Sequence, residues 1–165
     1  MADRTLTERL QPSILDRLTD EAPQKKSETT AERMIDIRRL REIIQRDLSW
    51  LLNTGNIDSE IDADLYPNVS QSVLNYGVPD ATGDYANLRR AANVRDAIQK
   101  AVELFEPRLI DGSLNVISRT KDAKREPVIT FDIVGDMWAQ PLPTELYLRS
   151  QFDTTTGQVT LEQGA

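Results

Sequence analysis

The sequence predicts an α+β fold, with N-terminal helices packed on a small C-terminal antiparallel sheet of three to four strands. Two observations predict it. Up to Phe105 the apolar residues recur at helical spacing, and after Pro107 the period changes to two. Helices first and strands after is the order of an α+β domain with an antiparallel sheet. A polar stretch near residue 30 divides the chain into an N-terminal arm and linker, 1–30, and one domain, 31–165.

The arm carries Leu6, Leu10, Ile14, Leu15 and Leu18, spaced to line one side of a broken helix. Thr5 and Glu8 have capping-box spacing, and Pro12-Ser13 ends one turn and starts another. Two readings of the arm stand: it docks in a partner's groove, or it packs on its own domain. A strong helix is expected over 31–53, opened by Thr29 and Glu32 and stopped by Asn53-Thr54-Gly55. Its stripe runs through Met34, Ile37, Ile44, Leu48 and Leu51, and Leu40 fills the place that Arg41 leaves. Trp50 is expected in the core or at its edge. Residues 54–69 are an acidic connection. Ser70 then caps a short helix through Tyr76 that Gly77 stops, and Val78 to Gly83 read as a turn.

The organising helix starts at Leu88, capped by Asp84 or Asn87, and buries Leu88, Ala91, Ile98, Val102 and Phe105. Pro107 lacks a backbone donor and biases Glu106 away from helical dihedrals, so the helix ends there. If Glu106 to Arg108 is extended, its two charged side chains share a face. A carboxylate at a helix C-terminus meets the negative end of the dipole, at a cost of ~0.3–1 kcal/mol. That broken rule calls for a function or for a compensating partner such as Arg108. Ile110, Leu114 and Val116 share a strand face around a bend at Gly112, and residues 120–126 form a hairpin loop. Val128 to Val134 make a second strand, with Ile129, Phe131 and Ile133 on one face and Asp132 on the other. Leu146, Leu148 and Phe152 mark a third, and Val159 with Leu161 a short fourth at the edge.

Composition narrows function. The formal charge is −7, and six acids with no base fall between residues 51 and 85. Such a chain is unsuited to wrapping nucleic-acid phosphates, and its acidic stretch suits either solvent or a basic partner. There is no cysteine, which excludes disulfides and thiolate metal sites and fits a reducing compartment. There is no histidine, which removes the commonest general base and metal ligand. No apolar run is long enough to span or insert directly in a membrane, and no secretory leader is visible, so a cytoplasmic protein is expected. The spacing Asp58, Glu60, Asp62, Asp64 lacks the central glycine and closing glutamate of a calcium loop, so neither metal nor cofactor is expected.

Four stretches together carry a resemblance. They are Ser13-Ile14-Leu15-Asp16-Arg17-Leu18, Arg46 to Asn53, Ser72 to Asp80, and Phe105-Glu106-Pro107-Arg108-Leu109. In that order they resemble the TssE family of type VI secretion baseplate subunits. That family is related to the baseplate wedge proteins of contractile phage tails and is also labelled lysozyme-like. The Glu-Pro-Arg signature falls on Glu106, Pro107 and Arg108. The resemblance implies a structural subunit on the cytoplasmic face of the inner membrane, joining the TssF and TssG wedge proteins and TssK. It implies that the triplet contacts the wedge's helical core, and that the sheet nucleates the first ring of sheath proteins TssB and TssC. Partner-binding residues are then Glu106, Pro107, Arg108 and, on the arm, Ile14, Leu15 and Leu18. The alternative for the triplet is an internal helix-stop salt bridge.

The label lysozyme-like raises a second class, a peptidoglycan-degrading glycosidase. It needs two carboxyls, ~5–5.5 Å apart for retention or ~6.5–9.5 Å for inversion. Glu106 would be the acid and Asp111 or Glu103 the second group. Arg108 beside the acid would favour its charged form, which is wrong for proton donation. The chain also has only nine aromatics for sugar platforms, several with places in the core. The expectation is therefore a protein that is not an enzyme.

Overall fold

The computed structural model describes residues 13–19, 23–24, 36–81, 88–119, 127–139 and 143–164. Among them the helices are α1 (Ile14–Leu18), α2 (Ile37–Leu52), α3 (Pro67–Ser70) and α4 (Leu88–Phe105). The strands β1 (Asn115–Ser118), β2 (Val128–Met137), β3 (Thr144–Asp153) and β4 (Val159–Gln163) follow. They form one antiparallel sheet in the order β1-β2-β3-β4. The α+β reading therefore holds, with the fourth strand present.

One face of the sheet meets the helices. Ile129, Phe131 and Ile133 of β2 and Leu146, Leu148 and Phe152 of β3 alternate inward, as a two-residue period requires. Against them α2 sets Leu40, Ile44, Leu48 and Leu51, and α4 sets Ala91, Val94, Ile98 and Val102. Each large side chain so buried contributes ~1.5–3 kcal/mol. Leu40 is buried where Arg41 is not, and Ile43, unremarked in the sequence stripe, is buried as well.

Several expectations need correction. Trp50 is half exposed, because it lies off the Leu48–Leu51–Leu52 stripe, and the Arg46 guanidinium stacks over its ring at 4.8 Å. Ser70 ends a helix instead of capping one. Pro67 opens α3, and Ser72 caps a separate 3-10 turn at Val73–Asn75 by accepting the Leu74 N–H at 3.2 Å. Glu106 to Arg108 is a turn, not an extended segment, and the Leu109 N–H reaches back to the Glu106 carbonyl at 3.2 Å. β2 continues past Val134 to Met137 because Arg108 to Ile110 keep its edge paired. The Trp138 N–H bonds the Arg108 carbonyl and the Ile110 N–H the Asp136 carbonyl, each at 2.8 Å. Asp132 lies on the outer face as expected, yet it is fully buried there. The described part of α2 opens at Asp36, whose side chain accepts the Arg39 N–H at 2.7 Å. The caps expected at Thr5, Thr29 and Asp84 or Asn87, the arm positions Leu6 and Leu10, the stripe residue Met34 and the loop 120–126 lie outside the described residues.

The sheet's two margins differ. In β4 the outward groups of Val159 and the Leu161 carbonyl, which face away from β3, are answered by side chains of α2 and its C-cap. Asn53 accepts the Val159 N–H and donates to the Val159 carbonyl, both at 2.9 Å. Gln45 donates to the Leu161 carbonyl at 2.8 Å. On β1 the pairing of Arg119 with Thr130 sets the alternation that turns the backbone N–H and C=O groups of Val116 and Ser118 away from β2. Among the described residues no backbone or side chain bonds those outward groups.

Candidate functional site

The candidate site is the corner between α4 and the sheet. The last turn of α4 carries Val102 inward, and the Glu106 N–H closes on the Val102 carbonyl at 2.9 Å. Pro107 then prevents another helical turn, and the chain swings toward β2. This local geometry drops the Glu106 side chain into the interior, with 3% of it exposed.

Arg108 answers it. Its backbone N–H and its Nε donate to Glu106 Oε1 at 3.1 and 2.6 Å, and one Nη donates to Oε2. The same guanidinium reaches α2, where it donates to Asp47 Oδ2 at 2.8 Å. Asp47 in turn accepts from Arg46 at 2.7 Å, and Arg46 donates to Asp16 on α1 at 2.6 Å. Acid and base thus alternate from Glu106 through Arg108, Asp47 and Arg46 to Asp16, tying α4's end, α2 and the arm together. Ser13 caps α1 and bonds the Asp16 carboxylate.

Electrostatics follow the geometry. Burial alone would raise the Asp16 carboxyl, but hydrogen bonds from Arg46 and Ser13 outweigh it and hold it below the usual carboxylate range. Burial alone would lower Arg108, and Glu106 and Asp47 more than reverse that. The Tyr76 hydroxyl is raised, first by burial and then by the Asp47 and Glu106 charges. Tyr76 also packs edge-on against Phe105, with ring centroids 5.2 Å apart.

The residues expected at the site divide. Glu106 is buried and bound by Arg108, so it is the internal helix-stop pair that the sequence left open. Pro107 is exposed, and 27% of the Arg108 side chain reaches water. On α1, Ile14 and Leu18 are 75% and 79% exposed and Leu15 about half. A groove of about 260 Å³ is lined by Leu15, Trp50, Tyr76, Arg108, Asp47 and Glu106. Asp47, Arg46, Asp16 and Trp50 were not singled out as site residues. Their only signal is that they fall within the stretches carrying the resemblance, since a lone Asp beside an Arg on a helix reads as a solvated pair.

A separate cavity of about 300 Å³ is lined by Glu103, Glu106 and Asp111, the carboxylates a glycosidase would use. Both Glu106 oxygens accept from Arg108. Among the described residues no cluster of acids is disposed to hold a metal ion, and no helix is long and apolar enough to cross a membrane.

Comparison with known proteins agrees with the corner's sequence. Neither the curated proteins nor the solved structures yield a match. A family does: the one described as baseplate wedge protein gp25 matches residues 38–142, from α2 through most of the β2–β3 connection and including Glu106, Pro107 and Arg108. That span is well over half of the sequence, and the chain belongs to the gp25 family of phage-tail-like baseplate wedge proteins.

Proposed function

We propose that the chain is a structural subunit of a type VI secretion baseplate, without enzymatic activity. It joins the TssF–TssG wedge and TssK at the cytoplasmic face of the inner membrane and starts the TssB–TssC sheath. The observation that carries this reading is the Glu106–Pro107–Arg108 corner, built as a fixed knot inside the span shared with baseplate wedge proteins. Glu106 and Arg108 shape the knot. The partner meets what stands outside it: Pro107, the exposed flank of Arg108, Trp50, and Ile14, Leu15 and Leu18 on the arm. A preformed surface of this kind loses little freedom on binding.

The sheath strand enters at β1. Its outward backbone groups can extend a partner's sheet, whereas at β4 both Val159 groups and the Leu161 carbonyl are already taken by Asn53 and Gln45.

Co-purification of the full chain with TssF–TssG, and sheath polymerisation on the resulting complex, test the reading. Leu15→Ser/Leu18→Ser and Trp50→Ala are expected to keep the melting temperature and lose most of the captured wedge. Ser118→Pro removes one outward N–H and is expected to spare wedge capture and slow sheath initiation. Normal capture by the arm and Trp50 variants would overturn the assignment. A peptidoglycan release assay run beside them is expected to stay at background.

A further inference from the structure

The connection between α2 and α4 folds into a closed loop that turns several of its large apolar side chains outward. Gly55 and Val78 form a parallel bridge at its neck. There the Asn56 N–H donates to the Val78 carbonyl at 3.1 Å and the Val78 N–H to the Thr54 carbonyl at 2.9 Å. Gly77 has φ 121°, and a Cβ on it would lie 2.2 Å from the Thr54 carbonyl oxygen, so the neck accepts only glycine. Buried Asn75 staples the middle. It accepts the Ile57 N–H at 3.2 Å and donates to the Asp58 carboxylate at 3.1 Å and the Ser70 carbonyl at 3.0 Å.

A loop pinned in this way has every means to bury its own large side chains. Instead Leu65, Tyr66, Val73 and Leu74 are 65%, 54%, 78% and 70% exposed, and Ile57 is 42% exposed. Water penalises that arrangement, and the polar staples hold it in place. Apolar groups displayed on a preformed frame are what association rewards. The charge around them selects the occupant. Asp58, Glu60, Asp62 and Asp64 stand on the same loop, and no Lys or Arg occurs between Arg46 and Arg89. An anionic bilayer, a nucleic acid or an acidic protein surface would be repelled, and an uncharged segment would leave the acids unanswered.

We propose that the loop between Gly55 and Val78 is a docking surface for a basic amphipathic segment of another protein. Apolar residues of that segment cover Val73, Leu74, Leu65 and Tyr66, and its Lys or Arg side chains pair with the loop's carboxylates. This surface is independent of the corner and of the baseplate reading, and its test uses neither.

Fluorescence anisotropy on the full chain measures binding of a labelled helix-forming peptide of leucine and lysine, beside the same peptide with glutamate for lysine. The lysine peptide binds and weakens as salt rises, and the glutamate peptide does not bind. Val73→Ser/Leu74→Ser loses about tenfold or more in affinity at an unchanged melting temperature, since both residues are exposed. Glu60→Gln/Asp64→Asn lowers the salt dependence. Lysine-peptide binding that is absent, equalled by the glutamate peptide, or undiminished by Val73→Ser/Leu74→Ser would overturn the proposal. So would a concentration-dependent dimer of the chain alone that this last variant abolishes, because the occupant would then be a second copy.

Discussion

Among the described residues two carboxylates, Glu106 and Asp132, are buried from water, and arginine answers both, but in different ways. Among the described residues, every hydrogen bond to the Glu106 carboxylate comes from one residue two positions along, Arg108. Asp132, on the outer face of the sheet, draws on three residues. Arg119 Nε reaches it at 2.5 Å, the Tyr147 hydroxyl at 2.8 Å and Arg149 Nε at 3.3 Å. The first arrangement is a local knot that sets the shape of a corner, and it costs almost no loop closure to form. The second is a distributed knot that ties the end of β1 to β3 across β2, and it forms only once the strands are in register. A local knot has one point of failure, and a distributed one has spares.

The largest effect should come from breaking the local knot at Arg108. Arg108→Ala leaves a buried carboxylate without a partner, a loss of ~3–5 kcal/mol. Glu106→Ala should cost less, because Arg108 keeps Asp47 and part of its side chain already lies in water. Thermal or urea unfolding of both variants reads the order directly. A Glu106→Ala penalty equal to that of Arg108→Ala would show that Glu106 has support beyond its neighbour, and the contrast with Asp132 would fail.

The distributed knot should behave the other way. Arg119→Ala and Arg149→Ala each leave Asp132 with two donor residues, so each lowers the melting temperature less than Arg108→Ala does. Together they should exceed the sum of the two, since Tyr147 alone then remains. Additive losses in that double-mutant cycle would mean the arginines act independently. Acid sharpens the same point. Burial alone would raise the Asp132 carboxyl, but bonds from Tyr147, Arg119 and Arg149 hold it below the ordinary carboxylate value. Its contribution is therefore complete above the unfolded value and is lost as the pH falls through the lower folded one. Melting curves from about pH 6 to about pH 3 should show the gap between wild type and Asp132→Asn closing as acid is added. A gap that widens with acid would contradict that sign.

The contrast also explains what the sequence could show. Pro107 and the Glu-x-Arg spacing are neighbours, so the helix stop and a compensating arginine could be read from the residues alone. The alternation of Ile129, Phe131 and Ile133 likewise announced β2 and its inner face. Asp132 could be placed on the outer face but not known to be buried, because its cover comes from residues 13 to 17 positions away. Asn53 read as a helix stop. Its second task, closing the β4 margin at Val159, spans 106 positions and leaves no local trace. Trp50 reads as interior from the sequence because aromatics are usually inside, and only the finished stripe of α2 shows it lying to one side. At the candidate site, Glu106, Pro107 and Arg108 were legible as a group. Whether their charges faced outward or each other was decided by Asp47 on another helix and by a turn where an extended segment was expected.

The smallest effect concerns the far end of the corner's charge chain. Asp16 joins the arm to Arg46, which is about one third exposed and keeps Asp47 when Asp16 is lost. Glu106 and Arg108 do not depend on that outer link. Asp16→Asn should therefore change stability by no more than ~1 kcal/mol, the scale of a surface ion pair. It should still loosen α1, whose five residues cannot hold a helix unaided. Tryptic cleavage after Arg17, followed over time in the folded chain, should speed up while the melting curve stays nearly in place. A large fall in melting temperature would mean that the arm is part of the knot, and that the corner is itself distributed in the way Asp132 is. Unchanged cleavage would instead mean that Leu15 packing in the groove holds the arm, with its salt bridge incidental.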